Sequence, residues 1–150
     1  MLASELKDLF SRDLDRLMHE LESYESEDVI WEKVGKISNS AGNLFMHLCG
    51  NLQHFIGAVL AKTGYERKRD FEFNGKVSME ELKLEIEKTK QTLQAYFETA
   101  EDSTFSEEYP LQPFGHAMTI SYFLIHLQGH LNYHMGQINY HRRILSKTSK

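Results

Sequence analysis

The sequence predicts an all-α fold, a four-helix bundle. Four segments place apolar residues at spacings of three and four, and no segment sustains strand alternation. The 150 residues suit one domain over 1–150, large enough to bury a core without disulfide staples.

The first helix is expected over residues 4–24, with Leu6, Phe10, Leu14, Leu17, Leu21 and Tyr24 as its stripe and Ser4 as N-cap. An irregular stretch, 25–39, follows, with Trp31 as a plug for one end of the bundle. The Ser38-Asn39-Ser40 cluster then starts a second helix over 40–62, whose face carries Leu44, His47, Leu48, Leu52, Phe55, Ile56 and Val59. Thr63-Gly64 stops it. A polar connection, 65–77, contains the mixed-charge run Arg67-Lys68-Arg69-Asp70, read as solvated. Ser78 and Glu81 form a capping box for the third helix, which runs to residue 99. The fourth and longest helix is expected over 117–146. The connections, at about 13–18 residues, exceed those common in bundles and leave room for crossovers.

Composition narrows the function. The chain is 41% hydrophobic and 26% charged, which excludes a disordered chain. With 17 Lys and Arg against 22 Asp and Glu, it lacks the basic field that nucleic-acid or anionic-membrane binding needs. A lone Cys49 forms no internal disulfide. No signal peptide or membrane-spanning run is visible, so a cytoplasmic location is expected.

Histidine is the unusual residue: there are eight, and the fourth helix reads His126-Leu-Gln-Gly-His130-Leu-Asn-Tyr-His134, with His141 beyond. Helical positions four apart sit about 40° and 6 Å from each other, so two such imidazoles can share one metal ion. Three cannot, and periodicity does not choose between the 126/130 and 130/134 pairs. A further ligand must come from another helix, with His47 the best candidate and His54 its competitor. Cys49 is expected to face away. Asn43, Asn51 and Gln137 are candidate acceptors for the second ring nitrogens. His126 and His141 are read as lining groups, His19 and His116 as surface. Tyr122, Phe123, Tyr133 and Tyr140 are read as core or dimer interface, Gly136 as a close-packing position, and Asp13 as solvated.

Two blocks carry a resemblance. One runs from Asn39-Ser40-Ala41-Gly42-Asn43-Leu44-Phe45-Met46-His47 through Phe55-Ile56-Gly57 to Arg67, Arg69 and Glu72-Phe73. The other is His130-Leu131-Asn132-Tyr133-His134-Met135-Gly136-Gln137-Ile138. Together they resemble the DinB-like superfamily of metal-binding four-helix bundles, within it an uncharacterised bacterial subfamily, over nearly the whole chain. The resemblance implies a metal triad of His47, His130 and His134, one divalent ion such as zinc or nickel, a long crossover between the second and third helices, and a homodimer. It further implies a metal-dependent enzyme, a thiol-dependent S-transferase working with a low-molecular-weight thiol at an open three-histidine site. Met135 departs from the family pattern, where many relatives have Arg. The competing class is a non-enzymatic, metal-stabilised dimeric binding module. A third reading keeps the histidines as satisfied core residues without an ion.

Overall fold

A computed structural model describes residues 1–147. The described residues are all-helical, with six α-helices among them rather than the four expected: α1 (Leu2–Glu22), α2 (Glu27–Ile30), α3 (Ala41–Leu52), α4 (Arg69–Asn74), α5 (Met79–Thr99) and α6 (Ile120–Leu145). The additions are the short α2, inside the stretch read as irregular, and the short α4, inside the polar connection. No β-strand occurs among the described residues, where one isolated bridge joins Glu108 to Thr119.

Local chemistry sets the boundaries. Both Ser40 with Asn43 and Ser78 with Glu81 form reciprocal capping boxes. Thr119 caps α6, accepting from the Tyr122 N–H at 3.1 Å, so this helix starts three residues later than expected. Ser4 is not the cap of α1. Asp102 accepts from the Ala3 N–H at 2.9 Å instead, and Ser4 lies inside the helix. The expected second helix is interrupted: α3 gives way to a π-helical turn at Gln53–Ala58. There the carbonyl of Phe55 accepts from the buried Tyr109 hydroxyl at 2.6 Å. The chain then turns through Lys62 and Gly64, with φ of 56° and 79°, a region that Gly enters without strain.

The four long helices enclose one core. Phe10, Leu14, Leu17 and Leu21 of α1 meet Leu82, Ile86, Leu93 and Phe97 of α5, while Phe45, Leu48 and Leu52 of α3 meet Phe123, Leu127, Leu131 and Ile138 of α6. Burying each such side chain contributes about 1.5–3 kcal/mol.

Side-chain pairs reveal the directions. Lys7 with Glu98 and Ser11 with Gln94 make α1 and α5 antiparallel. Asp13 with Asn132 and Glu20 with Arg142 make α1 and α6 parallel. Asn43 meets the carbonyl of Gly75, and Gln53 meets Glu85, so α3 and α5 also start at the same end. The segment between them therefore runs back along the molecule, as the expected crossover requires.

Asp13 corrects the sequence reading. It is fully buried, not solvated. Its carboxylate accepts from Arg12 Nε at 2.8 Å, Arg16 at 3.3 Å, Asn132 at 2.8 Å and Gln128. Burial alone would raise this carboxyl, but the hydrogen bonds from Arg12, Asn132 and Gln128 hold it below its ordinary value. Gly136 is a second correction. A Cβ there would meet nothing within 4 Å, so no close helix packing depends on it. Trp31 covers the first turn of α3, its ring lying where a Cβ on Gly42 would stand.

Candidate metal centre

His47 sits on the inner face of α3, between Leu44 and Leu48, and is 7% exposed. Because α6 runs antiparallel to α3, its inner face brings His130 and His134 opposite. One ligand atom from each of the three histidines lies within 4.8 Å of the others. The Nε2 atoms of His47 and His130 are 3.2 Å apart. Two nitrogens bound tetrahedrally to one zinc at 2.0–2.1 Å are separated by about 3.3–3.4 Å. The donor set therefore fits a divalent ion.

The outer nitrogens fix which ring atoms face inward. Glu72 Oε1 lies 3.1 Å from His47 Nδ1. Burial would raise the Glu72 carboxyl, but hydrogen bonds from His47 and Arg67, and the charge of Arg67, hold it below the usual range. It is thus a carboxylate, and the proton it accepts sits on Nδ1, leaving the His47 Nε2 lone pair free. Arg67 grips the same carboxylate with two bonds of 2.9 Å. On α6, His134 Nδ1 lies 2.7 Å from Gln137 Oε1, which fixes that ring in the same sense.

Glu72 was not given a role from sequence, and Arg67 corrects its reading as solvated: its side chain is 11% exposed. Both arrive through the crossover. The Asn43 side chain donates to the carbonyl of Glu72 at 3.1 Å, anchoring α4 on α3, so Asn43 is a positioning group and not an imidazole acceptor. Gly50 makes the approach possible, because a Cβ there would lie 2.0 Å from Glu72 Oε2. A glycine on a buried helical stripe, followed by Glu66, Asp70 and Glu72 in the connection, is the signal that sequence offered, and it does not single out Glu72.

His130 is held neutral. Burial lowers its pKa to about 4 from an ordinary 6.5, and neighbouring His134, His47, His126 and Arg67 add to the shift. Burial also lowers His134, against an opposing contribution from Gln137. Neutral imidazole is the ligand form. The sign for stability follows. As pH falls below 6.5 the unfolded chain takes a proton at residue 130 that the folded chain refuses, so the metal-free fold weakens toward pH 4. Glu72 and Asp13 add to the loss only at lower pH, where their own carboxyls begin to protonate. The urea midpoint of chelator-treated protein should therefore drop between pH 7 and pH 5. The drop should be smaller in His130→Gln; an identical drop in both proteins would contradict this account.

The family model that matches the chain is that of the DinB superfamily, over residues 9–138, a span that holds all three histidines. The chain belongs to the DinB superfamily. No curated protein matches it.

Within this DinB-superfamily chain the other expected residues are dispersed. His54 lies in the π-turn against Phe55, outside the cluster of three. His126 lines the cavity beside the site. His141 does not: it is buried at the far part of α6, with Nδ1 2.8 Å from the Tyr24 hydroxyl and Nε2 2.7 Å from the Glu32 carbonyl. Cys49 faces α5, and burial pushes its thiol up to about 12, so it is neither ligand nor nucleophile. Met135 is buried in the core. His19 and His116 are exposed. Among the described residues, no helix is long and apolar enough to cross a membrane.

Proposed function

We propose that this chain is a divalent-metal-dependent enzyme of the DinB superfamily, a thiol-dependent S-transferase, with one zinc or nickel ion held by His47, His130 and His134. Residues 1–150 form one domain, and the four long helices form its bundle. The observation that carries the reading is the pair of inward Nε2 atoms 3.2 Å apart, with the outer nitrogens of His47 and His134 already taken by Glu72 and Gln137. Three imidazoles suit zinc or nickel and leave a coordination position open. A bound divalent ion supplies Lewis acidity, lowering the pKa of a thiol or water placed there.

The chain's own residues do the rest. The Arg67–Glu72 pair orients His47, Gln137 orients His134, and desolvation keeps His130 unprotonated at neutral pH. A cavity of about 300 Å³, lined by His47, His130 and neighbours, gives a second reactant room beside the site.

The protein is read as a cytoplasmic homodimer. On α6, Tyr122, Ile125, Tyr133, Tyr140 and Ile144 are 58–65% exposed and share one face at helical spacing. A row of exposed large apolar side chains of this kind supports an interaction surface, and it also favours the competing reading of a binding module. Tyr133→Glu should convert a dimer to a monomer in light scattering while leaving helical content unchanged.

Elemental mass spectrometry on untagged protein, purified without chelator or added metal, tests the reading. The expected result is a single zinc or nickel ion per chain, with transfer of a small thiol to an electrophile that His47→Ala abolishes. Protein that stays metal-free and takes up neither ion returns the reading to the binding module.

A further inference from the structure

The cavity beside the three histidines has features that metal coordination leaves unexplained. At about 300 Å³ it is at the lower end for small-molecule sites. Its lining includes Asn51, Phe55, Arg69, Phe114, His126 and His130. Asn51 is 6% exposed, yet its Oδ1 is buried without a hydrogen-bond partner, and so is His130 Nδ1. A buried carbonyl oxygen without a donor is costly and rare, so a donor from a bound molecule is the natural complement.

Arg69 supplies the second observation. Arg67 is neutralised by Glu72, but Arg69 forms no ion pair among the described residues. Its guanidinium lies over the Phe73 ring at 5.2 Å, and Phe73 in turn rests on His47 with centroids 4.9 Å apart. An exposed cation is thus held beside the site with no carboxylate of its own. The walls are flat: Phe114 and His126 meet edge to face at 4.7 Å, and Phe123 stacks on His126. Such surfaces suit a planar body.

We infer that this cavity binds a small, flat organic carboxylate that carries a hydrogen-bond donor. The carboxylate pairs with Arg69, the planar body lies among Phe55, Phe114 and His126, and the donor reaches Asn51 Oδ1. This deepens the reading of the metal centre by naming the class of its second reactant, but it uses no contact with the ion.

The test titrates 4-hydroxybenzoate, with benzoate and 4-hydroxybenzamide as comparisons, into metal-free and zinc-treated full chain by calorimetry. 4-Hydroxybenzoate should bind best of the three. Arg69→Gln, a change at an exposed side chain, should weaken it about 10–100-fold, as expected for loss of a charge-assisted bond, and leave the amide unaffected. Asn51→Val should erase the preference for 4-hydroxybenzoate over benzoate. Absence of binding, or equal binding by the Arg69→Gln protein, overturns the inference. Arg69-dependent binding by a chain that takes up no zinc supports the cavity while removing the metal reading. Zinc uptake without any Arg69 dependence removes the carboxylate site and leaves the metal reading standing.

Discussion

Replacing His47 or His134 with alanine is expected to abolish stoichiometric metal binding. Each supplies one of only three imidazoles whose ligand atoms cluster, and no other His, Cys, Asp or Glu joins that cluster among the described residues. Two remaining imidazoles, with no further ligand atom in the cluster to replace the third, make a poor site. The loss should therefore exceed the effect of Glu72→Gln, an outer partner whose removal typically costs about 10–100-fold in affinity. His19→Ala, on an exposed turn of α1, should change nothing. Competition with a chromophoric chelator measures all four proteins on one scale. The ordering is the content of the prediction: a larger loss in Glu72→Gln than in His47→Ala would mean that the glutamate, and not His47, holds the ion. Unchanged occupancy in His134→Ala would remove the triad.

Asp13→Ala is expected to be the most damaging single change away from the metal. The carboxylate is fully buried and accepts from Arg12, Arg16, Gln128 and Asn132, tying α1 to α6. Removing it strips the half-buried Gln128 and Asn132 amides of a shared acceptor and leaves a void. Breaking a buried charged network costs about 3–5 kcal/mol. The two arginines are half exposed and rehydrate easily, so the lower end applies. For a chain of this size about 3 kcal/mol corresponds to roughly 6–12 °C in Tm. Differential scanning calorimetry decides it. A shift of a degree or two would mean that Gln128 and Asn132 find water instead.

The two results bear on how much was legible in advance. The four long helices follow from periodicity because each buries one stripe, and a stripe is a local property. The Ser78–Glu81 capping box was legible for the same reason, whereas at the second helix only a cluster of N-cap candidates was, and the reciprocal Ser40–Asn43 box emerged from the structure. The histidine pair on α6 was visible as a spacing, but choosing 130/134 over 126/130 needed the resemblance, since all three histidines share one side of the helix. Asp13 was misread because an acid flanked by Arg12 and Asp15 looks like a solvated edge. Its burial depends on Gln128 and Asn132, more than a hundred positions away. Glu72 was missed for a related reason: its partner Gly50 speaks only through the space it leaves. The π-turn at Gln53–Ala58 carries no local signature at all, because what accompanies it is a hydroxyl from Tyr109.

The separation of the histidines along the chain has a consequence for biogenesis. His47 and His130 are 83 positions apart. At about 5–20 residues per second, roughly 4–17 s of translation separate them. Until α6 has been made, His47 has Glu72, Arg67 and Phe73 for company but neither partner histidine, and closing so long a loop is entropically slow. The site is therefore assembled by tertiary docking at a late stage, and metal uptake reports a finished fold rather than nucleating one. A nascent chain stalled before α6 should expose no competent three-histidine trap to the cellular metal pool.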